Sequence, residues 1–92
     1  MRVFYNKSFF RSFSKLDALE REAVKEAMDS FMASVEESLA ISRGVGLKRL
    51  RRAYFEIRAG LALRVLFRRE KDVMEWLFVG NHDEIGRFLK HM

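Results

Sequence analysis

Two arginines are the groups best placed to do chemistry. Arg58 and Arg64 lie in neighbouring runs of alternating residues, YFEIRA (54–59) and LRVLFRR (63–69). Alternation is the period of a β-strand, so both guanidinium groups are expected on one face of a sheet, on adjacent strands. Forked donors of this kind match the oxygens of a phosphodiester. Held by a rigid sheet, such a pair can bind phosphate or stabilise charge that develops on it. The alternative is that Arg58 pairs with Glu56 or another neighbour and Arg64 is merely solvated. Glu56 is the only acid between Arg43 and Arg69. A carboxylate among cations either takes a proton from an alcohol or fixes arginine rotamers through a local ion pair. Tyr54, on the same face, can stack on a base or donate from its hydroxyl, or it can cover a sheet edge. His82 ends an apolar strand, and an imidazole can give or take a proton near neutral pH. The alternative is that Asn81, His82 and Asp83 only turn the chain into a helix. A lone histidine makes no metal site.

These residues sit inside a segregated block of charge. Between Arg43 and Lys71 the chain carries ten cations against Glu56 and Glu70, a local excess of eight, while the formal charge of the whole is +5. The flanking segments are therefore slightly acidic. A concentrated cationic block is what a polyanion-binding surface needs, because neutralising phosphates releases condensed counterions. Simple solubility would explain a basic average and would not explain the segregation.

Several classes are excluded. Ninety-two residues fit one domain, read here as spanning 1–92. The core is small, but 49% hydrophobic residues, with nine Phe, suffice for folding without staples. No cysteine is present, so disulfides and thiolate metal sites are out, which fits a reducing cytoplasm. No signal peptide is expected, because Arg2 and Lys7 flank too short an apolar stretch. No apolar run is long enough to span a membrane. The serines lie in helical stretches and none occupies a G-x-S-x-G elbow. There is no dinucleotide-binding fingerprint and no paired-carboxylate motif, so no small-molecule cofactor is expected.

The elements that must position the arginines follow from patterning. Residues 1–5 (MRVFY) alternate as a short strand. Asn6 or Ser8 can cap a first helix, with Phe9, Phe13 and Leu16 on one face. Asp17 and Glu20 form a capping-box pattern that opens a longer helix of about six turns. Leu19, Ala23, Ala27, Phe31 and Val35, widened by Val24, Met28 and Met32, make its apolar stripe. Gly44 and Gly46 suit a turn. From Leu47 the period becomes two and runs to Ala59, where Gly60 breaks it. Leu61–Arg68 alternates again, Glu70–Asp72 is a hairpin tip, and VMEWLFV (73–79) reads as a strand buried on both faces. Asn81 caps a final helix bearing Ile85, Phe88 and Leu89. Trp76 belongs to the core, and His91 is expected to be inert. The order β-α-α-β-β-β-α implies an α+β domain with a small, twisted, mainly antiparallel sheet and an N-terminal helical hairpin on one face. Phe55, Ile57, Leu63, Val65 and Phe67 should meet that hairpin. Glu56, Arg58, Arg64 and Arg68 should point from the other face.

The segments GLKRL (46–50), YFEIR (54–58), LRVLF (63–67) and WLFVGNHDEI (76–85) resemble the RelE/ParE superfamily of toxins from bacterial toxin–antitoxin modules. KSFFRSFSKLD (7–17) is similar to that family's first helix. The resemblance covers nearly the whole chain and implies the architecture just described. It also implies an acidic cognate antitoxin as partner. In the RelE-like branch it implies metal-independent cleavage of mRNA on the ribosome. There the 2′-OH attacks its own phosphate, basic residues stabilise the charge and an acid protonates the leaving oxygen. Arg58 and Arg64 then look like the phosphate-binding arginines, with Glu56 or His82 handling protons. Lys48, Arg49, Arg51, Arg52, Tyr54 and Arg68 look like RNA contacts. The chain departs from the pattern where Tyr54 and Glu56 replace commonly found lysines, and where IGRFLK (85–90) lacks a tyrosine. In the ParE-like branch the target is DNA gyrase and no RNA is cleaved. A degenerate module that only binds RNA or antitoxin is the third reading.

Overall fold

The computed structural model describes residues 1–36 and 47–92. The expected turn at Gly44 and Gly46 lies outside these residues. The elements are β1 (Arg2–Tyr5), α1 (Lys7–Ser14), α2 (Ala18–Glu36), β2 (Lys48–Arg49), β3 (Tyr54–Ala59), β4 (Leu63–Glu70), β5 (Val73–Gly80) and α3 (His82–Lys90). They form an α+β fold around one five-stranded mixed sheet, in the order β1-β5-β4-β3-β2. β1 runs parallel to β5, and the other pairs are antiparallel.

The helices start where the side chains can satisfy free N–H groups. Asn6 accepts from the Ser8 amide at 2.9 Å and caps α1. Asp17 and Glu20 exchange the two bonds of a capping box, at 2.8 and 3.0 Å, and open α2. α2 has 19 residues, slightly over five turns. Its buried line runs through Val24 and Phe31, while Leu19 in the first turn is exposed.

The run from Leu47 to Ala59 is two strands rather than one. The amides of Leu50 and Arg51 both donate to the Tyr54 carbonyl, and the Tyr54 amide donates back to Arg51. The chain therefore reverses over Arg51–Ala53, and Lys48 comes to lie opposite Glu56. Gly60 turns β3 into β4 with φ +70°, the left-handed region that glycine reaches without strain.

One face of the sheet packs on α1 and α2. Trp76, Phe31 and Phe67 are its centre, with Phe31 and Phe67 rings 4.9 Å apart and Phe67 and Trp76 rings 5.2 Å apart. Phe55 stacks on Phe67 at 5.5 Å. Truncating Trp76 or Phe67 to Ala would cost about 3–5 kcal/mol.

The second face is not open, as the sequence pattern had implied. α3 lies on it, and Ile85 and Leu89 bury against Leu66 and Leu77. A bulge makes this possible. Leu66 pairs with Phe78 and Phe67 with Trp76, so Leu77 is one residue extra in β5. The bulge turns Leu77 and Phe78 toward α3 while Trp76 and Val79 stay in the main core. This explains why VMEWLFV is apolar throughout.

On its other edge, away from β4, β5 has no strand partner beyond Trp76, where β1 ends. α1 fills the gap with hydroxyls. Ser8 Oγ donates to the Leu77 carbonyl at 2.5 Å, and the Val79 amide donates to the buried Ser12 Oγ at 2.9 Å. Two serines one turn apart thus replace the missing ladder bonds.

Candidate functional site

The site follows from strand register. Arg58 and Arg64 are direct cross-strand partners in β3 and β4, so their side chains leave the same face of the sheet. Arg58 is exposed and Arg64 half-buried. Like charges in this relation repel, which a neighbouring acid or a bound anion must offset. Glu56 supplies part of the offset. It sits two residues before Arg58 and diagonally across from Arg64, whose Nε lies 3.3 Å from Glu56 Oε2. The contact is an ion pair and not a hydrogen bond, since Arg64 Nε is buried without a hydrogen-bond partner among the described residues. Glu56 itself is only 6% exposed. Its carboxylate is placed to hold the Arg64 guanidinium and poorly placed to meet a substrate.

Lys48 stands opposite Glu56 on the same face and is exposed. The row beyond Arg64 ends at Gly80, where a side chain would collide with Glu84 and Phe78 at 2.8–2.9 Å. Glycine there lets the first turn of α3 close onto the sheet. Two residues later His82 opens α3, exposed. Asn81 fixes that opening through a full capping box, accepting from the Glu84 amide at 2.8 Å while Glu84 accepts from the Asn81 amide at 2.8 Å. Backbone register thus brings Arg58, Arg64 and Glu56 to one end of one face, and the capped start of α3 sets His82 two residues beyond Gly80, the register partner of Arg64.

The remaining cations divide. Arg49 donates to the carbonyls of Arg51 and Arg52 at 3.2 and 2.7 Å and lies 6.0 Å over the Phe55 ring, so it holds the Arg51–Ala53 turn. Arg51 donates to the Leu89 carbonyl at 2.9 Å and ties that turn to the end of α3. Arg68 meets Glu70 at 2.7 Å and Glu75 at 3.7 Å. It stands four residues along β4 from Arg64, roughly 13 Å away, and Tyr54 lies opposite it, packed against the small core under α3. Arg52 is exposed. Among the described residues, Lys48, Arg52 and Arg58 are in no ion pair.

Sequence patterning missed the closing of α3 over this face and the tethering of Arg49 and Arg51. The available signals were Leu66, apolar among arginines, and Leu50 in the basic turn. Among the described residues no group of three His, Asp or Glu can hold a metal ion. No helix among them is long and apolar enough to cross a membrane. A hollow of about 520 Å³ lies between α1, the end of β5 and α3. Its Arg11 and Lys15 are balanced by Glu20 and Glu84, so it makes no anion site.

Comparison with solved structures decides the architecture. A chain of the RelB–RelE antitoxin–toxin complex from Methanococcus jannaschii superposes with a TM-score of 0.68 at 15% identity, over 92% of this chain and 96% of that one. The chain has the RelE/ParE toxin fold. YafQ from E. coli superposes with a TM-score of 0.68 at 11% identity, over 92% and 98% of the two chains. The YoeB/ParE toxin from Agrobacterium tumefaciens gives 0.64 at 16% identity, over 89% and 99%. No protein-family model matches the sequence, and no curated protein matches it. The RelE/ParE toxin fold is thus carried here by a sequence only 11–16% identical to these three chains.

Proposed function

We propose that residues 1–92 form one toxin domain, the toxin of a toxin–antitoxin pair, and that it is a ribosome-dependent, metal-independent endoribonuclease acting on mRNA. The observation that carries this reading is the cross-strand pair of Arg58 and Arg64, in direct register and on one face. In the proposed reaction the ribose 2′-OH attacks the adjacent phosphorus, and the 5′-oxygen of the next nucleotide leaves. The products are a 2′,3′-cyclic phosphate and a 5′-hydroxyl. Arg58 and Arg64 stabilise the charge that builds on the phosphoryl oxygens. Glu56 orients Arg64. His82, exposed at the start of α3, exchanges the proton with an attacking or leaving oxygen. Lys48 and Arg52, both exposed, contact the RNA backbone.

A site with one accessible histidine is poorly supplied with acid–base groups, so much of the rate must come from positioning. That is why the ribosome belongs to the proposal, as the surface that presents the RNA. The partner is an acidic antitoxin covering the basic face, in keeping with the antitoxin–toxin complex whose chain shares this fold. The cytoplasm is where mRNA, ribosome and antitoxin meet.

The test is expression of Arg64→Ala beside the wild type. The variant should fold, bind antitoxin and lose growth inhibition. Full toxicity of a folded Arg64→Ala protein would refute the assignment.

A further inference from the structure

A second hollow, of about 470 Å³, lies on the flank of α3 that meets the Arg51–Ala53 turn, lined by Arg51, His82, Asp83, Gly86, Arg87 and Lys90. The five α3 positions form one stripe of the helix, beside the Ile85 and Leu89 stripe that packs on the sheet. Arg51 reaches the hollow because its guanidinium is anchored on the Leu89 carbonyl. Three cations and an imidazole therefore face a single carboxylate. Among the described residues none of Arg51, Arg87 and Lys90 is ion-paired. Asp83 sits in the first turn, where the helix dipole favours it. The opposite end, between Gly86 and Lys90, is left purely cationic.

Gly86 is the telling residue. It is exposed in the middle of a nine-residue helix, where glycine is the least favourable residue short of proline. A Cβ at this position would meet nothing within 4 Å. Packing therefore gives no reason for a glycine. A ligand does, since a bare helix surface lets an anionic strand lie against the backbone within reach of the flanking cations.

We infer that this hollow is an RNA subsite, holding a phosphodiester that flanks the one held by Arg58 and Arg64. The inference rests on the RNA-cleavage reading. Continuity supports it, because His82 follows by two residues Gly80, the register partner of Arg64.

The probe is a short, labelled 2′-O-methyl RNA, which cannot be cleaved, titrated into the full chain at several salt concentrations. The double variant Arg87→Ala/Lys90→Ala should keep its fold and weaken binding roughly tenfold or more. Its salt slope should fall by about 0.7, the share of one single-strand phosphate. Gly86→Ala should raise Tm, on the order of 4–8 °C for a chain of this size, and still bind the RNA several-fold more weakly. Wild-type affinity in either variant, or no RNA binding by the wild type, would overturn the subsite. Cleavage of mRNA is scored on the same proteins. Weakened binding in both variants with no cleavage by the wild type keeps the subsite and removes the nuclease. Unchanged binding in the variants with cleavage intact does the reverse.

Discussion

Glu56 Oε2 lies 3.3 Å from Arg64 Nε, across β3 and β4, with the two side chains 8% and 20% exposed. A pair this sheltered is strongly felt when one member is removed, because the other keeps its desolvation cost. Glu56→Ala should destabilise the fold by about 2 kcal/mol, discounted from the fully buried range for the access Arg64 retains. A double-mutant cycle with Arg64→Ala, read by urea unfolding, checks it. Single effects that add within about 0.5 kcal/mol would show that the pair is not coupled.

Arg58 behaves oppositely. It is exposed, in no ion pair among the described residues, and directly opposite another arginine. Arg58→Ala should leave stability unchanged or raise it by about 0.2–1 kcal/mol, the size of a cross-strand like-charge penalty. The same variant should lose growth inhibition. A clear loss of stability with activity retained would mean that Arg58 serves the fold and not the site.

Ser12 tests the account of the sheet edge. Its buried hydroxyl accepts from the Val79 amide. Ser12→Ala should destabilise by about 1–3 kcal/mol, the cost of an unsatisfied buried donor. Ser14→Ala, on the exposed end of α1, should stay within about 0.5 kcal/mol. Equal urea midpoints for the two variants would argue that the amide finds another partner.

Asn81 tests how His82 is held. Asn81→Ala removes half of the capping box and should cost about 1 kcal/mol. Hydrogen exchange should quicken in residues 82–90 first, with β3 and β4 protected as before. Uniform quickening across the sheet would show that α3 is not an independently fraying unit.

Much of this molecule was legible because the informative patterns are local. The capping residues Asn6, Asp17 and Asn81, the alternation of β3 and β4, and the pairing of Arg58 with Arg64 all depend on neighbours a few residues apart or across one tight turn. What could not be read depends on contacts distant in sequence. Leu66 sits among arginines, so the pattern placed it on a solvated face, yet it is fully buried because α3 returns over it. The bulge at Leu77 breaks the period of two within a run that is apolar on both sides. Ser12 reads as an ordinary helix serine, and its role depends on β1 ending before Val79 on that edge of β5. The hydrogen bonds by which Arg49 holds the Arg51–Ala53 turn and Arg51 reaches the Leu89 carbonyl were likewise beyond local pattern.

The most direct test of the central claim is to induce the wild type and Arg64→Ala in a bacterial host and map mRNA 5′ ends. The account predicts cuts within translated codons for the wild type, reduced about a hundredfold or more in the variant. Growth arrest by the wild type with messages intact would contradict the nuclease reading and point to another target, DNA gyrase first.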